Sequence, residues 1–238
     1  MKRIAIYIYV VFIFSCKTNI NNVSEVRSNN NDYKEYKGLI FRNSFINKIG
    51  EPNPEVKDYY FRYHDRNYYI KLSECPYDGN ISVFDNAFVR IYGALRYGSW
   101  DSDDPKVQSR VGDYVVFSEI QTVILPLSFK FYDGNNNLYI VERNRLQYIP
   151  VIVNESSSGI YSGGAEKELQ FSVYEYAELF FRAEKIFGTG EYATLERTKG
   201  TWSFLITYND KIEQYFVVDS EALQMFKTYT DELFNRNR

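Results

Sequence analysis

Apolar and polar residues alternate in two short segments of the chain, 58–63 and 68–72. A period of two is typical of β-strands, because successive side chains point to opposite faces. The polar residues between the two segments suit a turn, so together they predict a β-hairpin. One face of this hairpin is apolar, whereas the other mixes tyrosine with positive charge: Tyr60, Arg62, Tyr69 and Lys71.

The rest of the N-terminal half predicts further strands around one short helix. The strands are 38–45, 88–95 and 114–121, with the helix at 81–86. Three strands, a helical connection and two strands resemble the OB-fold, a five-stranded barrel whose ligands lie across strands two and three. This resemblance spans residues 36–123 and implies a ligand face at Tyr60, Arg62, Tyr69 and Lys71. The alternative is an ordinary solvated strand face, since strands favour tyrosine.

The C-terminal half, residues 124–238, predicts a second sheet with helices against one side. Apolar runs separated by turn residues predict its strands: 128–132, 138–142, 146–153, 202–208 and 214–218. Ser172 and Glu175 form a capping box that begins a helix ending at Gly188. Ser220 can cap a final helix. The predicted fold class is therefore α+β, an OB-like five-stranded β-barrel followed by a small antiparallel sheet packed with two helices.

The start of the chain carries the most specific motif. Lys2 and Arg3 precede an unbroken apolar run at 4–14, and Ser15 and Cys16 follow it. This is the layout of a secretory signal peptide. One alternative is a transmembrane anchor, but a membrane-spanning helix needs roughly 20 apolar residues. A second alternative is secretion of the protein without a lipid anchor.

The last four residues of this motif, Ile13-Phe14-Ser15-Cys16, resemble the lipobox of bacterial lipoproteins. The resemblance implies removal of residues 1–15 and attachment of lipid, including palmitate, to Cys16. An asparagine-rich stretch at 16–35 is too polar to fold and would serve as a tether. The implied location is the bacterial cell envelope, with the protein anchored in the membrane by its N-terminal lipid. Lys17 favours the outer membrane, facing the periplasm.

Composition limits the classes of partner. The formal net charge is −3, and it becomes more negative when Lys2 and Arg3 are removed with the signal peptide. Nucleic-acid binding normally needs a basic face, so a nucleic-acid partner is not expected. Cys75 is the only cysteine besides Cys16. The mature chain therefore has no intrachain disulfide, and its many aromatic residues must supply the buried area.

Two loops are candidate contact sites. The first contains Trp100 beside three aspartates at 101–104. Calcium binding by these carboxylates is an alternative there, although the EF-hand spacing is absent and an acidic turn is the preferred interpretation. The second loop, 156–164, is rich in serine and glycine and could cradle an anion or fit a protein surface, unless it is only a flexible connection. Its candidate binding residues are Ser158, Gly159, Tyr161, Gly163 and Gly164.

Catalytic chemistry has few candidate residues in this chain. His64 is the only histidine, so a histidine–cysteine metal cluster is excluded and any catalytic triad depends on that residue. Cys75 could act as a nucleophile only with His64 nearby, and a lone cysteine is more often a small buried hydrophobe. We expect no cofactor and no metal. The sequence therefore favours a non-catalytic envelope lipoprotein that binds a protein or glycan, with an envelope hydrolase acting on cell-wall or polysaccharide substrates as the alternative.

Overall fold

The computed structural model describes residues 32–46, 49–100, 110–156, 158–188, 193–194, 196, 198 and 200–236. Cys16, residues 16–31 of the predicted tether and the aspartates at 101–104 lie outside the described residues. The end of the predicted tether, 32–35, is described, and there the prediction is wrong: Tyr33 is buried and the first strand begins at Lys34. Asp32–Arg238 form one compact unit, built mainly of β-strands in two sheets with two α-helices. The predicted α+β class is confirmed. In the described part of the chain, no helix is both long and apolar enough to cross a membrane.

The first sheet has five strands, and its pairings close on themselves. Its strands are β1 (Lys34–Ile46), β2 (Pro52–Tyr63), β3 (Arg66–Ile70), β4 (Ala87–Trp100) and β5 (Arg110–Thr122). The order is β1-β2-β3-β5-β4, and β4 pairs with β1 to complete the ring. β3 and β5 run parallel, whereas the other neighbours are antiparallel. A short 3-10 helix, Ile81–Phe84, precedes β4 near the predicted helix at 81–86.

Strand alternation gives this sheet an inner and an outer face. Ile40 pairs with Phe61, and Phe61 pairs in turn with Tyr68. All three are buried in one aromatic and aliphatic cluster together with Ile70 and Phe117. Their burial within the ring of strands makes this cluster the inner core of the five-stranded sheet.

The second sheet has seven strands, all antiparallel to their neighbours. Five of them are β6 (Ser128–Tyr132), β7 (Leu138–Glu142), β8 (Arg145–Ile149), β11 (Trp202–Thr207) and β12 (Ile212–Val217). Four lie close to the predicted ranges, whereas β8 ends four residues before the end of the predicted strand 146–153. The two edge strands, β9 (Lys167–Gln170) and β10 (Ala193–Thr194), were not predicted. The strand order is β10-β12-β11-β6-β7-β8-β9.

Two helices begin where their capping residues predict. In α1 (Val173–Gly188), the Glu175 carboxylate accepts from the backbone N–H of Ser172 at 2.8 Å, and the Ser172 hydroxyl accepts from the Glu175 N–H at 3.2 Å. This reciprocal pair is a capping box. In α2 (Glu221–Asn235), the Ser220 hydroxyl accepts from the backbone N–H of Leu223.

Both helices contribute to one core with the seven-stranded sheet. Phe131 lies at its centre, fully buried, with its ring 5.5 Å from that of Phe204 and 5.0 Å from that of Phe226 on α2. Tyr176 and Phe180 of α1 pack on Phe129 of the same strand. The proposed division into domains at 36–123 and 124–238 stays a prediction.

Replacement of Phe131 by alanine should destabilise the protein by about 3–5 kcal/mol, because it removes a fully buried ring whose neighbours cannot collapse into the space. Urea unfolding followed by tryptophan fluorescence measures this change. Met225→Ala, at a largely exposed position of α2, is the matched control and should change the free energy of unfolding by less than about 0.5 kcal/mol. Equal effects of the two substitutions would contradict this description of the core.

Candidate functional site

The predicted hairpin faces are confirmed in the five-stranded sheet. Tyr60 pairs directly with Tyr69, and Phe61 with Tyr68. Phe61 and Tyr68 belong to the inner core, so Tyr60 and Tyr69 lie together on the outer face. The alternation of the sequence therefore identified correctly which side chains share a face.

The expectation that this outer face is exposed is wrong. Tyr60, Tyr69 and Trp100 are only 3%, 4% and 4% exposed. Trp100, at the end of β4, stacks on Tyr69 with ring centroids 5.0 Å apart, and Phe45 of β1 packs edge-on against both rings. The face is thus covered by the chain's own aromatic residues and offers no ring to a ligand.

Glycine at 112 permits this covering. Gly112 lies in β5, and a Cβ there would come within 2.8 Å of the Trp100 ring. The β4–β5 hairpin can therefore bring Trp100 flat against the outer face only because its partner strand has no side chain at that point. The Trp100 ring, buried among aromatic neighbours, therefore stabilises the fold.

The two predicted cations of this face are also engaged. Lys71 is 5% exposed, its Nζ lies 2.7 Å from Glu74, and it stands over the Tyr114 ring. Arg62 stacks on the ring of Tyr174 in α1, with 3.9 Å between its Cζ and the ring centroid. Lys71 therefore packs against the five-stranded sheet and Arg62 against the helix, so the predicted four-residue ligand face does not exist as an open surface.

The predicted serine–glycine loop forms a closed structure. Gly163 N–H donates to the Val151 carbonyl at 3.1 Å and so joins the two ends of a loop spanning 151–163. We call this segment the 151–163 loop. Within it, the Ser158 hydroxyl accepts from the backbone N–H of Tyr161. A compact loop with its ends hydrogen-bonded has the form of an Ω-loop.

One buried asparagine fixes the 151–163 loop to the β6–β7 turn. The Asn137 side chain is 2% exposed; its oxygen accepts from Val151 N–H at 3.0 Å, and its nitrogen donates to the Tyr161 hydroxyl at 3.0 Å. The Tyr148 hydroxyl donates to the Gly163 carbonyl at 2.6 Å. A Cβ on Gly163 would clash with Asn137 and Tyr148. The loop is therefore held by side chains and is not merely a flexible connection.

The loop presents aliphatic side chains to solvent. Ile160 is 85% exposed, Ile152 56% and Val153 41%. Ser158, Gly159 and Gly164 are exposed beside them, whereas Tyr161 and Gly163 are half-buried by their anchoring bonds. Single exposed apolar residues are common on protein surfaces, and here three of them lie on one closed loop.

A second candidate site lies where the five-stranded sheet meets α1. His64 occupies the tight turn between β2 and β3 with a φ of 51°, a left-handed conformation that histidine adopts more readily than most residues. Its Nδ1 lies 2.5 Å from a carboxylate oxygen of Glu178, a residue only 5% exposed. Arg182, one helical turn further along α1, donates from Nε to the same oxygen at 3.0 Å.

The chemistry of these groups fixes the position of one proton. A carboxylate only accepts, so the short contact requires Nδ1 of His64 to donate to Glu178. An Arg182 amino group lies 3.1 Å from Nδ1, but both groups are donors, so this contact is not a hydrogen bond. Arg182 instead donates to the carboxylate that His64 also contacts. The other ring nitrogen, Nε2, has no hydrogen-bond partner among the described residues.

A cleft of about 370 Å³ opens beside this histidine. We call it the seam cleft; its walls come from β1, β4, the β2–β3 turn and α1: Glu35, Tyr36, Lys37, Tyr63, His64, Arg90, Glu178, Phe181, Arg182, Glu184, Lys185 and Gly188. Lys37 bridges to Glu184 at 2.7 Å across it. The seam cleft therefore combines a buried carboxylate, an oriented imidazole and aromatic side chains.

The nucleophile considered from sequence is not supported by its surroundings. Cys75 is half-buried between the inner and outer clusters of the five-stranded sheet. Burial raises the pKa of its thiol to about 11, so the reactive thiolate is scarce at neutral pH. It also does not line the seam cleft. Among the described residues, no group of histidine, cysteine, aspartate or glutamate side chains is arranged to hold a metal ion.

Sequence reasoning missed Glu178 and Arg182. The available signal was their spacing of four along a helix whose neighbouring positions are apolar, which indicates a paired charge at the edge of a buried stripe. The partner that makes the pair notable, His64, lies 114 positions away. No local pattern joins residues so distant in sequence.

Replacing Glu178 by glutamine should lower the free energy of unfolding by about 1–3 kcal/mol at pH 7, because His64 and Arg182 lose a charged acceptor. Burial by itself would raise the pKa of Glu178, but the hydrogen bond and charge of His64, with those of Arg182, hold it below its ordinary value of 4.5. Such a carboxyl stabilises the fold above the unfolded pKa and loses that contribution as pH falls through the folded pKa. Urea unfolding at pH 7 and at pH 3–4 should therefore show a difference between wild type and E178Q that shrinks in acid.

Glu55→Gln, at an exposed position of β2, is the control for this experiment and should match wild type within about 0.5 kcal/mol at both pH values. A penalty for E178Q that stays constant from pH 7 to pH 3 would contradict an ionised Glu178 in the native state.

Similarity to known proteins does not assign this chain to a family. Comparisons with protein-family models, with curated proteins and with solved structures find no significant match. The 151–163 loop and the seam cleft are therefore interpreted from their own geometry and chemistry.

Proposed function

We propose that this protein is a lipid-anchored lipoprotein of the bacterial cell envelope whose folded body binds a partner protein through the 151–163 loop. The observation that supports the binding proposal is that the loop exposes aliphatic side chains while hydrogen bonds hold its backbone in place. Ile160 is 85% exposed, yet the backbone on either side of it is held by Ser158 and by the bond from Gly163 to Val151. A fixed apolar loop loses little conformational entropy on binding, which favours affinity.

The anchor proposal is supported by the N-terminal residues. The basic pair, the apolar run and the lipobox-like Ile13-Phe14-Ser15-Cys16 are arranged as a lipoprotein signal. A diacylated cysteine would hold the protein firmly, since two acyl chains anchor where one binds only marginally. The outer membrane, with the body facing the periplasm, is the proposed location.

We further propose that the five-stranded sheet is an OB-like barrel. Its strand order, its closure from β4 to β1 and the parallel pairing of β3 with β5 support this. In such a barrel the usual ligand face spans strands two and three, where Tyr60 and Tyr69 lie beneath Trp100. The surface proposed to meet a partner is accordingly the exposed 151–163 loop.

An envelope hydrolase is the second candidate, and one observation favours it. His64 lines the seam cleft, and Glu178 holds its Nδ1, which leaves Nε2 free to act as a general base. The described lining contains no serine, threonine or cysteine, so water would have to be the nucleophile. Cleavage of cell-wall polysaccharide by the wild type that His64→Asn abolishes would favour this candidate over a binding protein.

Cys16→Ser should abolish lipidation and release the protein from the membrane fraction into the soluble envelope fraction. Cys75→Ser, at the only other cysteine, is the matched control and should remain with the membrane. Mass spectrometry of the mature N-terminus and incorporation of labelled palmitate provide the measurement. A wild-type protein whose mature N-terminus begins upstream of residue 16 would contradict the anchor.

A photo-crosslinking amino acid at position 160 should yield one discrete adduct with an envelope protein, because Ile160 is the most exposed aliphatic side chain of the loop. The same amino acid at Ile124, which is 78% exposed outside the loop, is the matched control and should yield no such adduct. Ser158→Pro, which removes the hydroxyl that organises the loop, should weaken the adduct at position 160. Equal adducts at positions 160 and 124 would refute the proposed surface.

A further inference from the structure

We propose that the seam cleft is a binding site for an acidic sugar unit, a pyranose ring that carries one carboxylate. This site is separate from the proposed protein-binding loop and does not depend on it. Three features of the described residues lead to this ligand: an open ring nitrogen of His64, an excess of one positive charge, and aromatic walls of suitable size.

The first feature is the unused nitrogen of His64. Glu178 occupies Nδ1 at 2.5 Å, and Tyr174 of α1 donates its hydroxyl to the His64 carbonyl, so both ring and backbone are fixed. The Tyr63 ring packs against the imidazole with centroids 4.0 Å apart. His64 lines the seam cleft, and its Nε2 has no hydrogen-bond partner among the described residues. A fixed and unsatisfied polar atom at a cleft is well suited to a ligand hydroxyl.

The second feature is the charge of the cleft. Its lining holds four permanent cations and three carboxylates, an excess of one positive charge before His64 is counted. Three of the cations face the carboxylates: Arg182 with Glu178 at 2.9 Å, Lys37 with Glu184 at 2.7 Å and Arg90 with Glu35 at 3.7 Å. Lys185 forms no ion pair with any residue that the structure describes. One uncompensated ammonium group favours a ligand with a single negative charge.

The third feature is the size and composition of the walls. A volume of about 370 Å³ lies at the lower end of the range for small-molecule pockets. The rings of Tyr36 and Tyr63 meet edge to face at 5.2 Å, and the buried Phe181 also lines the cleft. These surfaces suit the apolar face of a pyranose ring.

The polar groups distinguish a sugar from an apolar acid. The Glu35 carboxylate is exposed, and its contacts with Lys37 and Arg90 are both 3.7 Å long, so its oxygens can still accept hydrogen bonds. A sugar supplies hydroxyl donors for Glu35 and an acceptor or donor for Nε2. An aromatic carboxylate of similar size would satisfy the ammonium group but would leave these groups unpaired, which is unfavourable in a cleft.

Titration of the full-length, untagged protein in detergent with glucuronate tests this proposal. The chain has a single histidine, so isotope labelling of histidine gives one set of ring resonances that reports on the cleft. Glucuronate at pH 7 should shift these resonances saturably, with a dissociation constant of about 1 mM or tighter for a ligand of this size. Glucose, the neutral analogue, should bind about tenfold more weakly or not at all.

Two cleft variants and one control complete the experiment, with affinities measured by calorimetry. Lys185→Glu reverses the unpaired charge and should weaken glucuronate binding by about tenfold or more. His64→Asn should also weaken it, because asparagine tolerates the positive φ and can still donate to Glu178 but has no counterpart of Nε2. Lys227→Glu, on the exposed side of α2 and outside the cleft lining, should bind like wild type.

The outcomes separate the site from the ligand. Thermal unfolding of each variant confirms that the fold is intact before affinities are compared. Glucuronate binding that is lost in both cleft variants and kept in Lys227→Glu supports the proposal. Benzoate binding in place of glucuronate would overturn the sugar assignment. Binding of glucose as tight as that of glucuronate would overturn the requirement for a carboxylate. No saturable shift of the His64 resonances, or equal losses in Lys185→Glu and Lys227→Glu, would overturn the site.

Discussion

The buried carboxylate of Glu178 is the interaction on which the arrangement of this molecule depends. It lies on α1, which packs on the seven-stranded sheet, yet one of its donors, His64, belongs to the turn of the five-stranded sheet. Arg182 on the same helix pairs with the carboxylate, and His64 adds a second donor from the turn. This second donor, with the contacts of Tyr174 with His64 and with Arg62, holds the turn against the helix. The seam cleft exists because this junction is fixed.

Aromatic packing decides which surfaces remain for binding. The five-stranded sheet is covered on its inner face by one cluster and on its outer face by a second, built around Tyr60, Tyr69 and Trp100. The two clusters bury most of the aromatic rings of the predicted ligand face. Two of the surfaces that stay open are held in place by polar side chains: the 151–163 loop, fixed by Asn137, and the seam cleft, fixed by Glu178.

Local chemistry predicted the elements well, and long-range contacts account for what it missed. The capping box at Ser172 and Glu175 and the alternation of the β2–β3 hairpin depend on neighbours in sequence, so both could be predicted. Burial of the hairpin's outer face depends on Trp100, which returns from the far end of β4. The strand β9 is short and mostly polar, so it carries no apolar period. Pairing of His64 with Glu178 and fixation of the loop by Asn137 likewise join residues that no sequence pattern connects.

The most direct test of this account is the position of the proton on the His64 ring. Nitrogen chemical shifts of the single histidine, measured in the full-length protein near pH 8, distinguish the two neutral tautomers. We expect a protonated, hydrogen-bonded Nδ1 facing Glu178 and an unprotonated Nε2. A proton on Nε2, with Nδ1 unprotonated, would contradict the hydrogen bond that joins the two sheets and the ligand site beside it.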